Sequence, residues 1–298
     1  ELGDATTKTF ANGEIYCRFE ESIRGADVFL VQSTCRPVND SLMELLIMID
    51  AAKLASAQRI TAVMPWYGYS RQDKKSRPRE PVTAKLVAEL LQAAGVNRVL
   101  TMDLHAGQVQ GFFQIPVDHM TAVPILVNYF DDRTKYGDMQ GEDLVVVSPD
   151  AGRAKLATHF AEKLGAGIAV LTKQRPEHNE AEITLLIGDV AGKTAILIDD
   201  MIDTAGTLVA GAHTVKEAGA NRVFAAATHG IFSGSAFDRL AKSDLEQIVV
   251  TDTIPLGENA PEGLIEVRSV AQILADSVHN VFCDESVSEI FSGENQLF

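Results

Sequence analysis

Short apolar runs rich in β-branched residues alternate along the chain with longer segments whose apolar positions recur at helical spacing. The runs predict strands at Asp27–Gln32, Arg59–Met64, Arg98–Asp103, Leu144–Val147, Gly167–Leu171, Thr194–Ile198, Arg222–Thr228 and Gln247–Thr251. The longer segments predict helices at Asn39–Ala55, Ala84–Ala94, Ala151–Leu164 and Thr207–Ala218. Several strands are apolar almost continuously, as expected of parallel strands covered by helices on both faces. The alternation therefore predicts an α/β fold with open, mostly parallel sheets.

The chain also repeats itself at the scale of a domain. Ala94–Ala106 and Ala218–Gly230 are identical in six of thirteen positions, and each predicts a helix end closed by Gly, a short turn and a strand ending in His. With 298 residues to distribute, this predicts two similar α/β domains. We place the first at residues 1–125 and the second at residues 126–298, with the last helix expected to pack back on the first domain.

Composition and charge limit the classes of protein to which the chain can belong. The net charge of −15 is the reverse of the basic balance typical of nucleic-acid binders, although it leaves room for a local basic site that holds phosphate. No run approaches the ~20 apolar residues of a membrane span, and the opening residues do not resemble a signal peptide. Cys17, Cys35 and Cys283 are widely spaced and form no metal-binding pattern. We therefore expect reduced thiols in a cytoplasmic protein without a nucleic-acid or membrane partner.

The clearest chemical signal lies in Ala195–Leu208, where an apolar strand leads into two acids, a tight loop and a helix. The loop residues are Asp203, Thr204, Ala205, Gly206 and Thr207. Backbone N–H groups at a helix N-terminus bind phosphate, and a carboxylate such as Asp199 or Asp200 can accept hydrogen bonds from a sugar diol. The alternative is simple helix capping, since Asp and Thr are common N-cap residues. The order of strand, acid pair and loop favours a sugar-phosphate site.

Two strongly polar segments follow predicted strands, at Ser70–Glu80 and Thr172–Glu182. Open α/β sheets place ligand-binding loops at such positions, whereas polar runs in general are solvated surface loops. From the residues alone, the general tendency of polar runs favours solvated surface loops.

The segment DDMIDTAGT at Asp199–Thr207 resembles the phosphoribosyl pyrophosphate signature shared by type I phosphoribosyltransferases and ribose-phosphate pyrophosphokinases. Further segments, in the same order along the chain, resemble class I ribose-phosphate pyrophosphokinases. They are Phe10–Thr34, Pro37–Lys53, Met64–Lys75, Arg79–Leu91, Asp103–Phe113, Val147–Gly152 and Glu285–Phe291. The resemblance covers nearly the whole chain. It implies Mg²⁺-dependent transfer of the diphosphate of ATP to ribose 5-phosphate, giving AMP and phosphoribosyl pyrophosphate.

The resemblance also implies the ATP-binding residues. They are Phe10, Asn12, Gly13 and Glu14, which would reach the adenine held by a neighbouring subunit, together with Arg71, Gln72, Asp73 and His105. A planar guanidinium suits adenine stacking or phosphate pairing. Without the resemblance, the Asn-Gly pair predicts a turn between two strands. Arg71 would then be a charged residue on the surface, and His105 a histidine at the end of a strand.

The remaining roles come from the resemblance as well. His105 and Asp150 are implied beside the metal–ATP complex, and one carboxylate plus substrate phosphates suits Mg²⁺. Lys173 and Arg175 are implied as the catalytic pair on a flexible loop, where they would neutralise charge on the departing AMP, and Arg175 would also contact ribose 5-phosphate. Ribose 5-phosphate would otherwise be held by the acid pair and by the loop at residues 203–207.

The chain departs from this family in two places. It lacks the strand and helix with which the family begins, so we expect a truncated start, and Arg153 stands where many members have a second Gly. The resemblance further implies a homo-oligomer, usually a hexamer, activated by phosphate and inhibited by ADP. Two alternatives remain, a phosphoribosyltransferase that consumes phosphoribosyl pyrophosphate and a non-catalytic subunit associated with the synthetase.

Overall fold

The fold is that of a computed structural model, which describes residues 2–174 and 183–293. The strands are β1 Ala5–Thr9, β2 Ile15–Phe19, β3 Asp27–Val31, β4 Arg59–Met64, β5 Arg98–Met102, β6 Val117–Met120, β7 Leu144–Ser148, β8 Gly167–Gln174, β9 Ile183–Ile187, β10 Thr194–Ile202, β11 Arg222–Gly230, β12 Gln247–Thr251 and β13 Ile265–Arg268. The helices are α1 Val38–Leu54, α2 Thr83–Ala94, α3 Val123–Tyr136, α4 Ala154–Leu164, α5 Gly206–Glu217, α6 Ala236–Leu240 and α7 Ala271–Phe282. Short 3₁₀ turns lie at Gly107–Phe112, Ala151–Arg153 and Ser288–Phe291.

The chain divides into two compact units. The first consists of the chain up to Thr121 together with the segment from Ala271 onwards, and the second is Ala122–Val270. No helix in the described part of the chain combines the length and the apolar character that a membrane crossing requires.

The first unit contains a four-stranded sheet in the order β3-β4-β5-β6, with every neighbouring pair parallel. Its core combines strand residues with the inner faces of α1 and α2, where Leu45, Ile49 and Leu91 are fully buried. Strands β1 and β2 form a separate antiparallel hairpin. Arg59 of β4 donates a hydrogen bond of 2.6 Å to Asp284, which ties the segment after α7 to the sheet.

The second unit contains a seven-stranded sheet in the order β13-β12-β11-β10-β7-β8-β9. Every pair is parallel except β8 with β9, so the sheet is mostly parallel as expected from the apolar runs. Apolar residues cover both faces of its central strands. Val145 and Leu197 belong to one core cluster, whereas Val146 and Ile196 belong to the other. Alternation of side chains along a strand places neighbouring residues on opposite faces.

The internal repeat corresponds to the same local structure in both units. The first copy begins at the last residue of α2 and includes β5, and the second begins directly after α5 and includes β11. Gly95 and Gly219 have φ values of +120° and +97°, a backbone region that residues with a side chain rarely adopt. The two copies differ in the position of the histidine. His229 lies inside β11, whereas β5 ends at Met102, three residues before His105.

All eight predicted strands and all four predicted helices are present, with ends that differ by a few residues. The largest difference is at β10, which continues past Ile198 to Ile202, so the acid pair lies within a strand and not in the loop after it. Residues 199, 201 and 202 pair with β11, which extends the sheet through the acids. The sequence patterns assigned no strand or helix to β6, β13 and α6, which are short elements of four or five residues, or to β9 and α3. The helix α7 corresponds to the expected last helix, for which the sequence gives no bounds.

A network of charged side chains joins several elements of the second unit. Arg222, the first residue of β11, bonds to Asp138 at 2.9 Å, Glu142 at 3.0 Å and Glu246 at 2.9 Å. Arg133 of α3 bonds to the same Asp138 at 2.7 Å. Hydrogen bonds from these two guanidinium groups hold the pKa of Asp138 well below its usual range. The ionised carboxylate therefore stabilises the folded unit.

Replacing Asp138 by Asn is expected to lower the free energy of unfolding by about 1 kcal/mol at neutral pH, because the Asp138 side chain is half exposed and screened by solvent. Since the pKa of Asp138 is lower in the folded than in the unfolded chain, its contribution is complete above the ordinary Asp value of about 3.9 and declines as the pH falls below it. Urea denaturation at neutral and acidic pH measures both effects.

The matched control is Asp131→Asn, which removes a partly exposed i,i+4 pair with Lys135. Its effect should be at most about 0.5 kcal/mol. A D138N protein as stable as the wild type at neutral pH, or one whose deficit does not shrink in acid, would contradict the role given to this network.

Candidate functional site

The acid pair of β10 lies at the carboxyl edge of the second sheet. Register pairs Leu197 of β10 with Val147 of β7, so the residues that follow β7 run beside Asp199 and Asp200. The carboxyl ends of parallel strands are where open α/β sheets bind ligands. Asp150, which follows β7, is exposed at this edge.

One cation, Arg153, contacts both acids. Its Nε lies 3.3 Å from Oδ1 of Asp199, and its Nη2 lies 2.8 Å from Oδ1 of Asp200. Asp200 also donates its backbone N–H to Oδ1 of Asp199 at 2.8 Å. Three charged groups are thus held together at the strand end, and sequence reasoning singled out Arg153 without assigning it this position.

The environment of the two carboxyls differs. The side chain of Asp200 is only 6% exposed, whereas that of Asp199 keeps 32% of its surface accessible. Partial burial of the Asp199 carboxyl, then its hydrogen bond to the Asp200 side chain, and then the charge of Asp200, raise the pKa of Asp199 well above its usual range, and Arg153 opposes that rise. Arg153, together with the backbone N–H of Asp200, therefore favours the ionised form of Asp199.

The predicted phosphate-binding loop directly follows β10 and leads into α5. Ala205 adopts a left-handed conformation with φ +60°, and its carbonyl accepts from the N–H of Val209 at 2.9 Å, which begins the helical hydrogen bonds. The carbonyl of Asp203 accepts from the N–H of Ser233 at 3.0 Å, which fastens the loop to the chain after β11. Gly206 and Thr207 form the first turn of a twelve-residue helix, whose N–H groups are suited to a phosphate.

A second arginine supports this loop and was missed in the sequence. Arg239 of α6 donates from Nη1 to the backbone carbonyl of Thr204 at 2.8 Å. The same nitrogen lies 3.7 Å from where a Cβ on Gly206 would stand, so the guanidinium is beside the start of α5. Only the folded chain brings residues 204 and 239 together, and no local sequence signal identifies the contact.

The predicted catalytic pair lies at and beyond the end of β8. Lys173 is the penultimate residue of β8, at a register position opposite Thr184 of β9. Arg175 lies outside the described residues, as does the rest of the predicted loop to Glu182. The catalytic role of both side chains stays a prediction.

Asp150 is the predicted metal-linked residue of this unit. Its Oδ1 accepts from the backbone N–H of Arg153 at 3.0 Å and so caps the 3₁₀ turn at Ala151–Arg153. Within the described ranges, no three His, Cys, Asp or Glu side chains are grouped so as to hold a metal. A carboxylate accepts several contacts, and Mg²⁺ is commonly held by one or two carboxylates plus substrate phosphates. An exposed, oxygen-bearing Asp150 fits that mode of binding.

In the first unit, a hydrogen bond joins the loop after β4, which contains three of the predicted ATP residues, to the turn after β5. Asp73 is buried and accepts from Gln108 Nε2 at 2.7 Å, and Gln108 lies in the 3₁₀ turn that follows His105. Gln72 accepts from the Thr83 hydroxyl at 2.6 Å, at the first residue of α2. These contacts give Asp73 and Gln72 a structural role in the loop, and their contact with ATP stays a prediction. Arg71, beside them, is exposed.

The predicted adenine-binding residues form the tip of the hairpin. Phe10 donates its N–H to the Glu14 carbonyl at 2.7 Å, Gly13 has φ +91°, and Asn12 Oδ1 accepts from the Glu14 N–H at 3.2 Å. The turn predicted from the Asn-Gly pair is therefore confirmed. The Phe10 ring is 45% exposed and packs at 5.9 Å from Tyr16. An accessible aromatic ring on a supported turn can stack on a base.

Sequence similarity to known proteins extends across the chain. A family model described as the N-terminal domain of ribose phosphate pyrophosphokinase matches residues 1–95, and one described as the phosphoribosyl synthetase-associated domain matches residues 177–292. A ribose-phosphate pyrophosphokinase of Caldanaerobacter subterraneus subsp. tengcongensis is 54% identical over 98% of this chain and 91% of its own length. One from Clostridium perfringens is 53% identical over 97% of this chain and 90% of its own length.

A solved structure gives the same likeness in three dimensions. The crystal structure of phosphoribosylpyrophosphate synthetase from Mycobacterium smegmatis has a TM-score of 0.89 and 46% sequence identity, and the match covers 95% of this chain and 92% of that one.

The left-handed conformation of Ala205 supplies a test of the loop geometry. Replacement by Gly relieves the strain of about 1–2 kcal/mol that a Cβ causes there but frees the unfolded chain, so A205G should be unchanged or up to about 1 kcal/mol more stable. Replacement by the β-branched Val should destabilise the unit by more than about 1 kcal/mol. Thermal and urea unfolding measure both. Equal stability of the Gly and Val variants would show that residue 205 is not left-handed in solution.

Proposed function

Because the chain belongs to the ribose-phosphate pyrophosphokinase family, we propose that it transfers the diphosphate of ATP to ribose 5-phosphate, releasing AMP and phosphoribosyl pyrophosphate. Identity of 50–54% to enzymes of that name over nearly the whole chain supports this. The structural observation that carries the proposal is the acid pair on β10 followed at once by the loop at the start of α5. That arrangement offers carboxylates for a sugar diol and N–H donors for a phosphate.

Ribose 5-phosphate is proposed to bind in the second unit. Its 5-phosphate accepts hydrogen bonds from the loop at residues 203–207, and its hydroxyls donate to Asp199 and Asp200. The positive end of the α5 dipole favours the phosphate anion. Arg175 contributes a positive charge beside the bound sugar phosphate. Contacts at both ends of the sugar fix the direction in which its anomeric oxygen points. The reactants therefore lose less entropy on reaching the transition state.

ATP is proposed to bind the first unit through Arg71, Gln72, Asp73 and His105, with Phe10, Asn12, Gly13 and Glu14 contributed by a neighbouring subunit. Support comes from the contact of Asp73 with Gln108, which holds the loops after β4 and β5 together, and from the exposed ring at the hairpin tip. Arg71 would pair with phosphate or stack on the base. The hairpin's contribution to a second subunit implies an oligomer, proposed here as a homohexamer.

In the proposed reaction, the anomeric O1 of the sugar attacks the β-phosphorus of ATP in line with the oxygen that bridges to the α-phosphorus. A bond forms between O1 and the β-phosphorus, the bond to the bridging oxygen breaks, and AMP leaves with the electron pair while O1 loses its proton. Lys173 and Arg175 neutralise the charge that builds on the bridging oxygen. The chain's contribution is positioning and charge neutralisation, without a covalent intermediate.

Asp150 and His105 are the proposed residues for Mg²⁺. When bound, the ion neutralises the ATP phosphates, as in other phosphoryl-transfer enzymes. The exposed carboxylate of Asp150 supports its half of this assignment, and His105 is proposed to act through water or on phosphate, since a histidine is an unusual direct ligand of Mg²⁺. Activation by phosphate, inhibition by ADP and a cytoplasmic location complete the proposal.

The experiment incubates the protein with ATP, ribose 5-phosphate and Mg²⁺ and follows AMP and phosphoribosyl pyrophosphate together. Equal formation of both, dependent on the sugar, is the expected result. Absence of both, with assembly onto an active synthetase, would favour the non-catalytic subunit. Release of pyrophosphate that depends on a nucleobase would favour a phosphoribosyltransferase.

Replacing Lys173 by Ala is expected to lower kcat by at least about a hundredfold while leaving the Kd of ATP nearly unchanged, because the lysine acts on charge that develops in the transition state. Steady-state kinetics and equilibrium binding of ATP measure the two quantities. Lys135→Ala, which removes an exposed lysine of α3 in the same unit, is the matched control and should keep the wild-type kcat. A near-normal kcat for K173A would remove Lys173 from the mechanism.

A further inference from the structure

Arg153 is a large cation placed between two acids that the proposed function uses to hold a sugar. Its guanidinium contacts Asp199 through Nε at 3.3 Å and Asp200 through Nη2 at 2.8 Å. The two acids are consecutive on β10, whereas Arg153 comes from the chain after β7, so the contact joins neighbouring strands at the carboxyl edge of the sheet. An arginine that contacts two carboxylates through separate nitrogens restricts the orientation of both.

The local backbone holds Arg153 in place. Its backbone N–H donates to Oδ1 of Asp150 at 3.0 Å, which closes the 3₁₀ turn at Ala151–Arg153, and α4 begins at the next residue. Its side chain is only 16% exposed. A guanidinium with a fixed backbone and little exposed surface loses little freedom when it makes its two contacts, so the geometry is held without a large entropic cost.

The acid pair needs such a cation. Asp199 and Asp200 are adjacent in the chain, and Asp200 is almost fully buried, so two negative charges there repel one another and water screens the Asp200 charge poorly. Arg153 offsets that repulsion while contacting Oδ1 of each carboxylate. A carboxylate has about four lone-pair sites, so a contact on one oxygen does not exhaust its capacity to accept hydrogen bonds from hydroxyls.

We propose that Arg153 is a positioning residue for ribose 5-phosphate, which holds Asp199 and Asp200 in the orientation that accepts the sugar hydroxyls. The inference rests on the proposed function of that acid pair. Arg153 contacts the acids and acts on the sugar through them, so it sets the affinity for ribose 5-phosphate and leaves the affinity for ATP unchanged. The opposite role, a guanidinium that blocks the pair, gives the opposite sign, because its removal would tighten binding of the sugar.

The experiment compares wild type with Arg153→Met, which keeps the length of the apolar stem and removes the charge. R153M should raise the KM and the Kd of ribose 5-phosphate by about tenfold or more, as expected when one member of a buried charge pair is removed. The KM of ATP should stay within about threefold. Calorimetric titration with ribose 5-phosphate gives the Kd independently of turnover, and circular dichroism checks that the variant is folded.

Two further variants separate positioning from folding. Arg153→Lys keeps a single point charge and should recover part of the affinity for the sugar. In an Asp199→Asn/Asp200→Asn background the carboxylates are gone, so adding R153M should cause little further loss of affinity. Lys135→Met, which removes one positive charge from the same unit, is the matched control and should leave both KM values unchanged.

The outcomes are distinguishable. An unchanged or lowered KM and Kd for ribose 5-phosphate in R153M would overturn the inference, and so would an equal rise in the KM of ATP. If R153M does not fold, R153K decides, because equal affinities of R153K and wild type for the sugar would show that the bidentate contact is not needed. If the wild type binds ribose 5-phosphate without making product, the proposed reaction fails while the titration still tests Arg153. A wild type that does not bind the sugar refutes both.

Discussion

The candidate sugar site depends on the pairing of β10 between β7 and β11. Because the pairing with β11 continues to Ile202, the backbone of Asp199 and Asp200 belongs to the sheet and not to a loop. Every other feature of the site is placed relative to that fixed strand end. The loop at residues 203–207 can turn directly into α5, and the chain after β7 can bring Arg153 against both acids.

The partly buried acid pair also explains why the site combines rigid and charged elements. Carboxylates at the end of a buried strand are costly unless a cation accompanies them, and Arg153 is that cation. The loop is held in a similar way, through Arg239 on the Thr204 carbonyl and Ser233 on the Asp203 carbonyl. The site thus uses contacts from three separate segments of chain to fix one strand end and one helix start.

The sequence predicted most of this fold because the physical signals are local. Apolar runs between glycine-closed helices predicted the central strands, including β4 and β12 at their observed bounds, and the acid pair followed by DTAGT located the site. The predicted end of β10 was too early, before the two aspartates, because aspartates are uncommon in strands. The strand β13 has four residues and the helix α6 is little more than one turn long, so neither contains enough positions to show a period.

Contacts between distant residues could not be predicted in the same way. The bonds of Arg153 with the acid pair, of Arg239 with Thr204 and of Asp73 with Gln108 join residues 35 or more positions apart, and no spacing rule connects them. Arg153 was visible as a departure from a family pattern, but its position against the acids required the fold. Residue types indicate which chemistry a site can perform, whereas tertiary contacts determine how the site is held.

The central claim is that O1 of ribose 5-phosphate attacks the β-phosphorus of ATP. The most direct test uses ribose 5-phosphate labelled with ¹⁸O at O1 and follows the product by ³¹P NMR, with the unreacted sugar checked for label retention. Retention of the label in the bridge between C1 and the diphosphate, seen as an isotope shift on the attached phosphorus, is the predicted result. A product whose bridging oxygen carries no label, formed while the remaining sugar keeps it, would place the reaction at C1 and contradict the account.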